Sequence, residues 1–466
     1  MAVFRTLANE EEYAALCEEM KRIVELVDTW NQSLDDACRM RAKRVPDEDI
    51  ADFFERMAYV LRAGQDMGEF LLSEQDSVVR NFTTRYESSL DNLEVLKDLY
   101  LSMILSATFA LVFATVLPIL SGNNPTVMVT SVLVLFIIIQ SVFLYVVKLM
   151  TPKDPIWYIN PRRRTQFQKK AIASLAISVV LVLAIFAFML ASMMGVWPAT
   201  MFNPPIHTRI PLLFWVPIPI TPLLIPGILF RQEETRVCDR DKEFANFIRA
   251  LGSSESVKQA TTSEVLKTLR TRDFDPLTPN IDDLYKRLNM RLDTHEAWDF
   301  FMTEAHSNLI QKFSEMYVVG REMGGDPKVL GELISKNMNE VLQLRQQRSQ
   351  SATTLIGLLY GITAAASFAF FIGFEVVGLL ADLSTGLQTP ELNIGELIHP
   401  DVYNMQLIEY LIVMIVLSNS FLSSLMIRIA DGGHYVNTYL HFVLLSWLGA
   451  CVGWFTRHLV GSILSF

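Results

Sequence analysis

Charge is scarce in this chain of 466 residues: 19% of them are Asp, Glu, Lys or Arg, against 51% hydrophobic. A soluble protein of this length carries more charge, so part of the chain is expected in lipid. Cysteine is equally thin, and Cys17, Cys38, Cys238 and Cys451 show neither paired-ligand spacing nor a disulfide rhythm. No Gly-Lys dipeptide occurs, which excludes a Walker A phosphate loop, and His295-Glu296 lacks the second histidine one turn on that a zinc-protease helix needs. The N-terminus is acidic from Glu10 and the first long apolar run starts only near Leu101, so nothing there resembles a signal peptide. These absences leave no catalytic machinery, no cofactor, no metal and no nucleic-acid partner to expect.

What is present is a set of long apolar runs. Crossing a hydrocarbon core of roughly 30 Å at about 1.5 Å per helical residue takes on the order of 20 residues. Seven stretches qualify: Leu101 to Leu120, Val127 to Val147, Ala171 to Val196, Ile210 to Phe230, Thr353 to Leu380, Gln406 to Ile427 and Tyr439 to Thr456. The fourth carries Pro211, Pro217, Pro219, Pro222 and Pro226, which must kink, break or turn it back unless neighbours satisfy the freed carbonyls.

Basic residues sort the two sides. With the N-terminus inside, 38 of the 40 Lys and Arg face the cytoplasm and only Arg209 and Arg457 do not. The informative contrast is between the short loop with Arg162, Arg163 and Arg164 and the segment from Ala381 to Met405, which has Asp382, Glu391, Glu396 and Asp401 but no Lys or Arg. A cell-membrane protein follows, multi-pass, with a cytoplasmic N-terminus and a C-terminus outside.

The expected fold is therefore all-α: about seven transmembrane helices and two cytoplasmic helical-bundle domains. The division reads 1–98 cytoplasmic, 99–230 four spans, 231–351 cytoplasmic, 352–466 three spans. In the first domain Tyr13, Leu16, Met20, Ile23, Val27, Trp30, Leu34 and Ala37 alternate spacings of three and four, the seam of one long helix that some partner helix covers. Asp47 is a good N-cap, Phe54, Met57, Ala58 and Leu61 form an apolar face, and Gly64 with Asp66 and Glu69 reads as a hairpin corner. The second domain repeats this with Phe244, Phe247 and Ile248 before a helix stop at Gly252, then Asp293 with Glu296, and Asp326-Pro327 as a helix start.

Met323-Gly324-Gly325-Asp326 resembles an intramembrane aspartyl-protease element, but it lies in a polar segment and its aspartate reads as a cap. His441 reads as hydrogen-bonded to a neighbouring helix, and Glu375 and Glu409 as boundary residues. Gly357 and Gly361 form a small-xxx-small pair suited to packing within the bundle, with dimerisation as the second reading. Ser418, Asn419, Ser420, Ser423 and Ser424 offer inter-helix hydrogen bonds.

The runs Phe54-Glu55-Arg56-Met57-Ala58-Tyr59-Val60-Leu61-Arg62-Ala63-Gly64 and Phe244-Ala245-Asn246-Phe247-Ile248-Arg249-Ala250-Leu251-Gly252, with Arg291 to Ala297, resemble the type II secretion system F-type platform family. That family serves type IV pilus, tight-adherence and archaeal flagellum machines; two domains and seven spans, four of them between the domains, look most like its archaellum branch. The resemblance implies a non-enzymatic membrane platform whose partners are a cytoplasmic secretion or motor ATPase, archaellin- or pilin-like filament subunits and the lipid bilayer, with a homo-oligomer left open. Arg162, Arg163, Arg164, Lys169 and Lys170 are then candidates for docking the ATPase, beside their plain topological role. The competing reading is a secondary transporter built from two repeats, which the scarcity of mid-span charge disfavours.

Overall fold

In a computed structural model the described residues are 1–9, 15–160, 163, 165–194, 210–258, 261–386 and 404–464. Tyr13, Arg162, Arg164, Arg209, Glu391, Glu396 and Asp401 lie outside them. Among the described residues the structure is helical apart from an isolated antiparallel bridge between Trp157 and Ser307. The chain divides into two compact units, Met1–Arg85 and Tyr86–Phe466.

The first unit contains α1 (Ala2–Asn9), α2 (Ala15–Asp28), α3 (Leu34–Ala42), α4 (Glu48–Ala63) and the beginning of α5 (Met67–Ser121). The expected single helix through Trp30 is broken: Asn31 takes a left-handed φ of 53° and Ser33 caps α3 by accepting from Asp36 N at 3.4 Å. Local capping by a serine followed by Asp35 and Asp36 wins over apolar spacing there, because acidic residues suit the first helical turn. The stripe is covered inside the unit. Met20, Ile23, Ala37, Cys38, Phe54, Met57 and Ala58 form one buried cluster, in which each residue of Ile or Phe size contributes about 1.5–3 kcal/mol. Burial pushes the Cys38 thiol up to about 12, with Asp35 adding to it, so it stays a protonated packing group. Gly64 ends α4 at φ 66°, and Gln65 N donates to Val60 O at 3.2 Å, the six-to-one bond of a glycine-terminated helix.

In the second unit α5 continues unbroken into its apolar end, followed by α6 (Pro125–Met150) and α7 (Gln166–Met193). A 3-10 turn over Leu212–Phe214, the short α8 (Pro217–Ile220) and another turn over Thr221–Leu223 then lead into α9 (Leu224–Lys258). The prolines are absorbed at helix starts, where no N–H is missed. Thr221 Oγ donates to Pro217 O at 2.7 Å and accepts from Trp447 Nε1 at 3.0 Å, which satisfies one freed carbonyl. Then come α10 (Thr262–Leu269), α11 (Thr278–Asn289), α12 (Thr294–Ala305), α13 (Asn308–Glu322), α14 (Pro327–Gly386), α15 (Met405–Asp431) and α16 (Asn437–Leu464). Among the described residues seven helices are long and apolar enough to cross a membrane. Of their most apolar windows, 67% is buried in α15 but only 11% in α7, so α15 is central and α7 peripheral.

Gly252 is not a corner. The helix runs through it to Lys258, and a Cβ there would come within 2.2 Å of Pro327 O and 3.2 Å of Gly331 Cα. Its missing side chain lets the backbones of α9 and α14 cross in contact, a packing gain that outweighs the roughly 1 kcal/mol that glycine costs a helix. Gly357 and Gly361 likewise do not pack within the bundle: a Cβ on either meets nothing within 4 Å. Close helix approaches come instead at Gly227, where a Cβ would come within 2.9 Å of Leu440 N, and at Gly453, where a Cβ would overlap the Phe371 ring. In the apolar interior Gln140 donates to Asn419 at 3.2 Å, whereas Ser420 and Ser424 bond back to their own helix. His441 meets Tyr360 OH at 3.2 Å. Arg457 joins Glu375 at 3.0 Å and Glu409 at 2.5 Å, so these two carboxylates form a clasp across three spans.

Candidate functional site

The second unit's soluble helices enclose their own core, with Phe244, Phe247, Trp298, Phe301 and Tyr317 buried together. What positions this core against the spans is the connection of residues 151–165 between α6 and α7. Its middle forms the bridge with Ser307: Tyr158 N donates to His306 O at 2.9 Å and Asn308 N to Ile156 O at 3.0 Å. The bridge is reachable because His306 ends α12 in a left-handed turn at φ 57°, which turns its carbonyl outward and starts α13 at the Ser307 cap, where Ile310 N is bonded at 3.1 Å. Trp157 sits beside His434 and Phe167, with ring centroids 5.6 and 5.8 Å away.

Around the bridge lies a cluster of buried charge. Arg345, on the soluble extension of α14, donates to Asp154 at 2.7 and 2.6 Å and to Asp241 at 3.1 Å; Ser307 Oγ also donates to Asp241. The planar guanidinium suits this two-pronged grip, which an ammonium could not make. Burial pushes the Asp241 carboxyl up to about 6, against the pull of Arg345. Arg348, one turn on, donates to Ala430 O at 2.8 Å, Ile429 O at 3.1 Å and Pro152 O at 3.3 Å. It thereby satisfies the end of α15, and Gly432 has to be glycine there, with φ 78° and a would-be Cβ 2.5 Å from the guanidinium. Glu234 accepts from Trp157 Nε1, His434 N and Asn437 Nδ2, each at 2.9 Å. Arg231 pairs with Asp431 at 2.6 Å.

These bonds tie α9, α14, α15, the start of α16 and the connection into one node at the soluble end of the bundle. The arrangement holds elements in register; among the described residues no three His, Cys, Asp or Glu side chains are placed to hold a metal ion. Beside the node lies a half-open cavity of about 480 Å³, lined by Trp157, Phe167, Gln168, Phe230, His306 and His434 among others.

Of the residues singled out in the sequence, Arg163 is engaged internally, with Glu296 at 3.0 Å and Asp299 at 3.4 Å, and stacks over Phe300 at 3.8 Å. Lys169 and Lys170 are exposed in the first turn of α7. Arg162 and Arg164 lie outside the described residues. Sequence reasoning missed Arg345, Arg348, Asp154, Asp241 and Glu234. A signal existed, since Arg345 and Arg348 share a helix face just before an apolar run, and Glu233-Glu234 sits directly behind one.

The sequence pattern of the type II secretion system (T2SS) protein F family matches residues 1–115. A flagella accessory protein J of Methanocaldococcus jannaschii is 34% identical over 463 residues, covering 99% of this chain and 81% of that protein. One of Methanococcus voltae is 33% identical over 458 residues, 98% of this chain and 80% of its own length. No solved structure matches the chain significantly.

Proposed function

The chain belongs to the flagella accessory protein J family, and from that premise we propose that this multi-pass membrane platform couples a cytoplasmic secretion ATPase to assembly of an archaellum-type filament. In this reading both helical segments face the cytoplasm, the C-terminus lies outside, and the spans receive filament subunits leaving the bilayer. Arg162, Arg164, Lys169 and Lys170 offer carboxylates of the ATPase a basic surface; Arg163 orients the connection on its own soluble domain.

The single observation that carries the coupling is the node of Arg345, Asp154 and Asp241 beside the Trp157–Ser307 bridge. A displacement imposed on the soluble helices cannot leave the connection, and hence α6 and α7, behind without breaking buried ion pairs. Mechanical coupling requires rigid elements with more than one docking arrangement, and this buried link joins such elements. The experiment is co-purification of the detergent-extracted chain with its candidate ATPase. Arg162→Glu with Arg164→Glu weakens the complex at low salt and less so at high salt, as exposed charge pairs do. Unchanged affinity at low salt removes the docking role.

A further inference from the structure

The cavity beside the node has features the coupling role does not use. Its volume of about 480 Å³ lies in the range of ligand sites, about 300–1,000 Å³. The walls are aromatic and aliphatic, and the mouth is apolar: Ile159 and Ile172 are 53% and 58% exposed. From Ile172 the exposed residues Val179 and Leu183 continue at spacings of seven and four along one face of α7, so an apolar track leads from the cavity into the bilayer. Gln168, one turn before Ile172 on the same wall, brings polar chemistry to the cavity. Gln168 Oε1 accepts from Thr165 N at 3.3 Å, but its buried Nε2 has no hydrogen-bond partner. An amide left so costs about 1–3 kcal/mol. Lys169 and Lys170 follow directly on α7, outside the cavity lining, and are exposed.

We propose that this cavity binds one hydrocarbon chain of an anionic membrane lipid, with the headgroup beside Gln168 at the mouth and drawn there by the nearby positive charge of Lys169 and Lys170. A lipid without net negative charge would leave the two ammonium groups uncompensated, and a water-soluble anion would not account for the apolar mouth. The track on α7 supplies the path of entry, and the lysines sit at the level where each basic residue near an anionic membrane surface contributes about 1 kcal/mol.

Trp157 lines the cavity and reports on it. The full chain in detergent micelles is titrated with phosphatidylglycerol or phosphatidylcholine carrying brominated acyl chains, and the Trp157 signal is taken as the difference from Trp157→Phe. Brominated phosphatidylglycerol quenches Trp157 at about tenfold lower lipid fraction than phosphatidylcholine, a preference worth about 1.4 kcal/mol. Lys169→Glu with Lys170→Glu abolishes that preference, and Ala171→Phe, which fills the cavity, lowers quenching by both lipids. If Ala171→Phe fails to fold, the exposed lysine pair decides the matter alone. Equal quenching by the two lipids in the wild type overturns the proposal, as does no quenching by either, which would leave the cavity to a protein side chain.

Discussion

Arg345 is the residue on which the largest local energy rests. Its side chain and that of Asp154 are 10% and 14% exposed, and Asp241 is 1% exposed, so removing the cation leaves two buried carboxylates facing each other. Arg345→Ala is expected to destabilise the chain by about 3–5 kcal/mol, read by denaturation in detergent. Asp241 behaves in the opposite sense to a salt-bridged surface carboxylate. Its pKa rises from 3.8 unfolded to about 6 folded, so its neutral form is favoured on folding; the stability it contributes is full below 3.8 and is lost as pH rises through 6. Stability measured against pH should therefore contain a fall over this window that Asp241→Asn lacks, and identical profiles would refute it. The shared helix face of Arg345 and Arg348 was legible in the sequence, but not what either side chain grips. The pairing joins residues 191 positions apart, a distance no local pattern encodes.

At the scale of elements, the signals that are local in origin are readable. Asp47, Asp293 and Asp326 cap the helices their types suggest, accepting from Ile50 N, Glu296 N and Lys328 N at 3.0, 3.3 and 2.8 Å, and Gly64 turns a corner. Glycine is where local reading fails, because the same residue serves a turn, a close crossing or open space depending on what lies opposite. Gly64 has nothing within 4 Å, Gly252 and Gly331 touch each other's helices, and Gly357 and Gly361 face outward. Gly331→Leu is thus expected to cost 4 kcal/mol or more, about the extreme for a single substitution, while Gly357→Leu changes stability by less than about 1 kcal/mol. A Gly331→Leu variant as stable as the wild type would show that α9 and α14 do not cross backbone to backbone. The prolines before α9 teach the same lesson: a helix breaker in composition becomes a helix starter once turns precede it.

For the molecule as a whole, hydropathy carried most of the architecture: seven apolar runs in the sequence correspond to seven candidate crossing helices among the described residues. The reason is that lipid leaves the chain few choices, since every backbone group must be satisfied within its own segment. How the soluble helices grip the spans depends on a connection whose partners lie far along the chain, and is visible only in three dimensions. The two-sided reading makes a direct prediction: a cysteine at Val257, 83% exposed on the soluble part of α9, is labelled by an impermeant maleimide only after cells are opened. Labelling in intact cells would place the soluble helices outside and end the ATPase reading. The sharpest measurement, however, addresses the coupling itself: filament assembly in cells carrying Asp154→Asn, alongside co-purification of the same variant with the ATPase. The account predicts that the ATPase is still bound while filaments fail to assemble; filaments at the wild-type level, with the Arg345–Asp154 link weakened, would contradict it.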